Sequence, residues 1–377
     1  MASKSDRIRS LHLALGERIL ILDGAMGTML QQRDLTAADF GGADLEGCNE
    51  NLCRTRPDVI LDVHRAYFEA GSDIVETNTF GSTPLVLAEY GLAADAYELS
   101  RRAAELARQA ADEFSTPHRP RFVAGAMGPT TRSITVTGGV TFPQLVESFY
   151  KQAKGLYDGG ADLFLIETAQ DTRNVKAALL ALDRLAAEAG VRLPVMVSGT
   201  IEPMGTMLAG QTADAFYASV AHAGLLSIGL NCATGPEFMT DHIRTIHEMA
   251  RTRVSCYPNA GLPNEEGRYL ETPESLARQL EKFVDHGWIN ILGGCCGTTP
   301  AHIAAMKKVF DAWTPPPSAA TVTFVSTPTP EPPTPGGGPP PASRFAANLG
   351  KRFQVSVELD PPKGTNPAKI IEGARLC

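Results

Sequence analysis

Between residues 19 and 313 the chain repeats one pattern eight times: a short apolar run of five or six residues, then a longer amphipathic stretch. Apolar runs of that length bounded by turn residues read as strands buried on both faces, and the stretches between them carry helical periodicity. Strands alternating with helices build a parallel sheet, because parallel neighbours need a long crossover. The strand candidates are residues 19–23, 73–78, 122–126, 163–168, 195–200, 227–232, 254–259 and 289–293. Helical patterns follow at 57–70, 96–114, 142–159, 174–189, 213–222, 236–250, 273–285 and 300–310. Several open with a proline in the first turn, where its missing N–H costs nothing. Eight such units in about 295 residues favour an α/β fold of the (β/α)8 TIM barrel type, with a doubly wound open sheet as the alternative.

The pattern stops after Trp313. Residues 314–341 contain eleven prolines and a Gly336-Gly337-Gly338 triplet, a composition that makes an extended spacer and no core. Beyond it, 353–360 alternates like a strand and 367–374 resembles a helix start. One strand and one helix cannot bury a core. The expected organisation is therefore a barrel over 1–313, a Pro/Gly-rich linker over 314–343, and the incomplete start of a second domain over 344–377.

Composition narrows the function classes. Apolar residues are 43% and charged residues 20% of the chain, as in folded soluble proteins. The net charge of −8 comes with no basic stripe, which argues against a nucleic-acid partner. There is no apolar segment of membrane-spanning length and no signal-peptide pattern, so no membrane partner and a cytoplasmic location are expected. Seven cysteines, an odd number unevenly placed, suit reduced thiols or metal ligands better than a disulfide framework.

In a barrel of this kind chemistry belongs to the C-terminal strand ends and the loops beyond them. Strand one runs into Asp23-Gly24-Ala25-Met26-Gly27-Thr28, strand two into Glu76-Thr77-Asn78-Thr79, and strand four into Glu167-Thr168-Ala169-Gln170-Asp171. Carboxylates and amides thus gather on one rim. Strand six runs into Asn231-Cys232, strand seven into Pro258-Asn259-Ala260-Gly261, and strand eight into Gly293-Gly294-Cys295-Cys296-Gly297-Thr298. Cys232, Cys295 and Cys296 fit a catalytic zinc, which takes three protein ligands and leaves one position for substrate. Adjacent strand residues point to opposite faces, so Cys295 and Cys296 reach one metal only where the strand has ended, and the flanking glycines supply that freedom. The alternatives are small buried residues, a vicinal disulfide, or a phosphate-binding loop after strand eight. Cys48 and Cys53 form a weaker second candidate pair, Cys256 reads as core, and the barrel histidines, including His64 and His302 in helical patterns, read as surface residues.

These strand-end motifs, with Pro258-Asn259-Ala260-Gly261-Leu262-Pro263, closely resemble the homocysteine S-methyltransferase family, in particular the homocysteine-binding barrel of cobalamin-dependent methionine synthase. The likeness runs from about residue 10 to 313. It implies a Zn2+-dependent (β/α)8 barrel that methylates homocysteine to methionine. Val355-Ser356-Val357-Glu358-Leu359-Asp360-Pro361-Pro362-Lys363 resembles the first strand of methylenetetrahydrofolate reductase, with Glu358 at its acidic position. The two together suggest a bifunctional protein cut short.

A free alkyl thiol is mostly protonated at neutral pH. Zinc in a thiolate-rich shell would deprotonate homocysteine while leaving its sulfur electron-rich. The resemblance places Asp23 and Glu167 on the substrate ammonium, while backbone N–H groups of Gly24, Ala25 and Thr28 could take its carboxylate. As bland alternatives, Asp23 would cap a turn and Glu167 would join an ion pair at the barrel mouth. Asn259 is the candidate displaceable fourth ligand, or else only a turn-former. Asn231 is expected to orient the Cys232 loop. The methyl donor could be methylcobalamin on a separate protein or methyltetrahydrofolate. A zinc- and homocysteine-binding sensor without turnover, and a metal-free aldolase-like barrel, are the competing functions.

Overall fold

The computed structural model describes residues 3–311 together with isolated positions between 343 and 371. The chain divides into two units, Met1–Pro317 and Ser318–Cys377; the first holds everything discussed below. The expected linker, and the reductase-like strand that follows it, lie outside the described residues but for isolated positions.

The eight expected strands are all present: β1 Leu20–Ile21, β2 Ile74–Glu76, β3 Phe122–Met127, β4 Leu163–Ala169, β5 Val195–Gly199, β6 Ser227–Asn231, β7 Arg253–Tyr257 and β8 Ile291–Leu292. They form one all-parallel sheet in the order β1-β8-β7-β6-β5-β4-β3-β2. The gap between β1 and β2 is bridged by the Asp73 N–H, which donates to the Ile21 carbonyl at 2.6 Å. The Asp73 carboxylate takes the Ile21 N–H at 3.0 Å in return. The fold is therefore a TIM-type barrel, as the eight-unit pattern predicts, and the open-sheet alternative falls away.

Helix α1, Lys4–Glu17, precedes the barrel; the helices that follow the strands are α2 Pro57–Ala70, α3 Ala96–Phe114, α4 Phe142–Asp158, α5 Thr172–Ala189, α6 Ala213–Val220, α7 Pro236–Met249, α8 Pro273–Asp285 and α9 Pro300–Phe310. Their starts follow the capping rules. Proline occupies the first helical position of α2, α7, α8 and α9, and the Asp171 carboxylate caps α5 by accepting the Arg173 N–H at 2.8 Å.

Strand parity sorts the side chains into two cores. Leu20, Leu22, Ile74, Phe122, Ala124, Leu163, Leu165, Met196 and Tyr257 fill the barrel, closed below by Leu11, Ala14 and Leu15 of α1. Their neighbours Ile21, Val75, Val123, Phe164, Ile166, Val197, Ile228 and Cys256 pack outward against the helices. Parity has a chemical consequence: continuing each inward column by two residues brings Glu76, Glu167, Ser198 and Asn231 to the top of the interior.

The histidine expectation fails twice. His64 is 0% exposed and His302 is 6% exposed, because both lie on the inner faces of their helices. His302 is fully used, with Nδ1 beside Thr299 and Nε2 against the Glu271 carbonyl. Both His64 nitrogens lack a hydrogen-bond partner.

Candidate metal centre and acidic pocket

The sulfur triad forms where β6 and β8 end. Cys232 follows β6 directly and holds a left-handed backbone with φ 61°, as does Ala233 with φ 55°. Such values are rare outside glycine and cluster at functional sites. This turn swings the Cys232 thiol toward the β8 loop, where its Sγ lies 3.8 Å from that of Cys296. The Sγ atoms of Cys232, Cys295 and Cys296 all lie within 4.8 Å of one another, the one such cluster of potential metal ligands among the described residues. All three are free thiols. A tetrahedral metal with bonds of about 2.3 Å to sulfur needs sulfurs about 3.8 Å apart, so the triad fits such an ion.

The β8 loop is held at many points. The Cys295 N–H donates to the Pro258 carbonyl at 2.8 Å, and the Gly294 N–H to the Asp23 carbonyl at 3.0 Å. Thr298 Oγ1 donates to the Cys295 carbonyl at 2.7 Å. The Cys296 N–H donates to Asn259 Oδ1 at 3.1 Å, and the Gly297 N–H to Thr28 Oγ1 at 3.0 Å. Gly297 has φ 80°, and a Cβ there would stand 2.3 Å from Tyr269 Cβ, so both backbone and space require glycine. Hydrogen bonds from Cys232 and Cys295, with a further one from Tyr269, hold the Cys296 thiol well below its ordinary range. The same sharing with Cys232 and Cys296 pushes Cys295 up. One thiolate supported by thiol donors is a ready receiver for a cation.

Facing the triad is an acidic pocket. Asp23 and Glu167 are 2% and 5% exposed. Asp23 Oδ2 accepts the Glu76 N–H at 3.0 Å, and Asp23 Oδ1 is buried without a partner. Glu76 and Glu167 stand within hydrogen-bond reach of each other. Burial, and then the Cys296 charge, push Glu167 up to about 8. Burial likewise raises Asp23 and Glu76 well above the carboxylate range, and the Glu167 charge adds to both. The charged groups acting on Asp23 and Glu167 are carboxylates and a thiolate.

Asn231 joins the two halves. Its Oδ1 accepts the Thr168 N–H at 2.9 Å and the Ser198 hydroxyl at 2.7 Å, and its Nδ2 donates to Thr168 Oγ1 at 2.7 Å. The same Nδ2 lies 3.8 Å from Cys295 Sγ. Thr168, next to Glu167, is itself left-handed with φ 51°. One amide thus fixes the strained residue beside Glu167 and touches the triad.

Gly24, Ala25 and Thr28 come to the same rim. Ala25 caps a short helix, Met26–Gln31, and its N–H already donates to Thr298 Oγ1 at 3.2 Å. Asn259 is 2% exposed and lies against the Cys296 backbone. Cys48 and Cys53 are buried but face different partners, Glu50 and Asn78 respectively, and Cys256 is core, with Sγ 3.8 Å from Met239 Sδ. Sequence reasoning assigns no role to Glu76, although its strand-end position marks it. It gives no signal for Tyr67, whose hydroxyl donates from α2 to the Ala25 carbonyl at 3.2 Å, nor for Tyr269.

Residues 20–310 match the family described as homocysteine S-methyltransferase. Among solved structures, the metallated form of the homocysteine methyltransferase MmuM from Escherichia coli is 26% identical, with 80% of this chain and 99% of that chain covered and a TM-score of 0.66. The oxidised form of the same enzyme is 25% identical over the same shares, with a TM-score of 0.65.

Proposed function

Because the chain belongs to the homocysteine S-methyltransferase family, we propose that it forms methionine from homocysteine at a zinc ion held by Cys232, Cys295 and Cys296. The reading is carried by one observation: three thiols within 4.8 Å of one another at a barrel mouth whose facing wall is carboxylic. When bound there, zinc would keep the substrate thiol deprotonated yet electron-rich at neutral pH. A metallated form of the Escherichia coli relative MmuM supports a metal at this site.

The chain's own groups then divide the work. Cys232, Cys295 and Cys296 bind the ion, and Asn259 Oδ1 is the proposed fourth donor that yields to substrate. Asp23 and Glu167 receive the substrate ammonium, for which they are pre-placed and short of positive charge. The turn carrying Gly24, Ala25 and Thr28 lies beside the substrate carboxylate, and Thr28 also steadies the Gly297 N–H. Asn231 keeps the carboxyl wall in register with the thiols. The interior below, filled by Leu22, Leu165 and Met196, excludes water from beneath the site and leaves the mouth as the route for a methyl donor. Methylcobalamin on a separate protein and methyltetrahydrofolate are the donors to assay.

The test is metal content by elemental analysis with zinc-edge X-ray absorption, each with and without homocysteine. One zinc with three sulfur neighbours, rising to four with homocysteine, is the expected result. A chain purified under reducing conditions without zinc, and unable to take it up, would return the barrel to the metal-free aldolase-like reading. Zinc and homocysteine binding with no methionine formed from any donor would favour the sensor.

A further inference from the structure

Glu76 has no part in the scheme above, yet it touches both members of the clamp. It ends β2 on the inward column below which Ile74 lies. Its backbone N–H fixes Asp23 Oδ2 at 3.0 Å, which leaves Asp23 Oδ1 as the buried oxygen without a partner. Its carboxyl reaches Glu167. Glu76 stands two residues beyond the barrel-filling Ile74 on the same strand, so strand parity turns its carboxyl into the barrel mouth.

The charges acting on Asp23, Glu76 and Glu167 are one another's carboxylates and the Cys296 thiolate, with no lysine or arginine beside them among the described residues. Three neighbouring carboxyls without a basic partner are unfavourable, and relief must arrive with protons or with a ligand. An ammonium group presents three N–H donors. The pocket presents three carboxyls, from the ends of β1, β2 and β4.

We propose that Glu76 is a third substrate-binding carboxyl, which with Asp23 and Glu167 encloses the α-ammonium of the thiol substrate and makes that ammonium a determinant of affinity. This rests on the homocysteine reading and adds the basis of its selectivity. Asp23 cannot rotate away to meet the ammonium alone, because the Glu76 backbone holds it. Glu167 cannot approach without meeting the Glu76 carboxyl. A thiol lacking the amino group would leave all three carboxyls without a counter-charge.

The test is calorimetric titration of the zinc-loaded chain with homocysteine and with its mercaptobutanoate analogue, which keeps thiol and carboxylate but lacks the amine. Glu76→Gln retains an acceptor oxygen without charge, and Glu76→Leu retains neither. A hydrogen bond to a charged group sets the scale: homocysteine affinity should fall about 3–10-fold in Glu76→Gln and about 10–100-fold in Glu76→Leu. Affinity for the des-amino analogue should stay within about twofold throughout, with zinc content and a cooperative thermal melt unchanged. Equal homocysteine affinity in all three proteins would overturn the proposal. So would equal losses for both ligands, which would place Glu76 on the metal or the fold. Failure of the unaltered zinc-loaded chain to bind homocysteine would overturn the parent reading itself, and is seen before any variant is made.

Discussion

At the scale of single residues, Cys232 shows how much of the site depends on backbone that a strand would not supply. Its left-handed turn is what brings a β6 thiol to a β8 loop, and alanine can hold the same turn, as neighbouring Ala233 does. Cys232→Ala is therefore expected to fold normally and to lose at least about nine-tenths of its zinc, since two thiolates seldom retain a catalytic ion. Elemental analysis of the purified variant checks this, and unchanged zinc would remove Cys232 from the ligand set. Glu167→Gln separates the other half of the site. It should weaken homocysteine binding by about 10–100-fold, the scale of a charge-assisted hydrogen bond, while zinc content stays at the level of the unaltered chain. Zinc loss there would mean that the carboxyl serves the metal. Cys295 and Cys296 are legible in the sequence because glycines flank them at a strand end, and Cys232 because it stands at another, where the fold class already directs attention. Glu76 is only half legible: its position marks it, but its contact with Glu167 joins residues 91 apart in sequence. Thr168, Tyr67 and Tyr269 are not legible at all, because ordinary residue types acquire their roles only from what the barrel places opposite them.

At the scale of elements, the strands are readable because a parallel barrel buries both faces and leaves continuous apolar runs. Helix boundaries follow almost as closely, with proline and glycine as punctuation. Helix α1 is the exception. It is mostly polar, with Leu11, Ala14 and Leu15 its only buried residues, and its anchors are charged pairs distant in sequence. Arg7 of α1 meets Asp162, and Arg18, one residue past its end, meets Asp73. Both aspartates sit at the N-terminal end of the barrel, where they hold the fold and not the chemistry. Asp73 also receives Arg119 and Arg121 at 3.2 Å each and closes the seam between β1 and β2. Asp73→Ala would leave three guanidinium groups around an empty place and open that seam. A loss of about 3–5 kcal/mol is expected from breaking such buried pairs, read from urea denaturation at pH 7. Zinc bound by the folded fraction should be unchanged, because the triad lies at the opposite end of the barrel. A loss under about 1 kcal/mol would show that the pairs act as exposed ones do.

At the scale of the whole molecule, two buried sets of titratable groups tilt stability in opposite directions. The carboxyl pocket prefers to keep protons: Glu167 is held up to about 8 against an ordinary 4.5. The native chain thus holds a proton there that the unfolded chain has released, and this contribution declines as pH rises through that interval. His64 acts in the other sense. Burial alone lowers it from 6.5 to about 4, so between those values the unfolded chain binds a proton that the native chain refuses. Its contribution is whole above pH 6.5 and is lost progressively as pH falls toward 4. For one group the slope cannot exceed about 1.4 kcal/mol per pH unit. In the metal-free chain the two slopes oppose each other between pH 4.5 and 6.5. Replacing His64 isolates them. Both ring nitrogens are buried without partners, so His64→Leu removes an unsatisfied polar ring as well as a titration, and at pH 7 it should be neutral or stabilising. Its advantage over the unaltered chain should then widen as pH drops below 6.5, measured as the difference in thermal midpoint at each pH. Parallel midpoint curves for the two proteins from pH 7 to pH 4.5 would show that the ring takes up its proton in the native barrel and is no source of acid sensitivity.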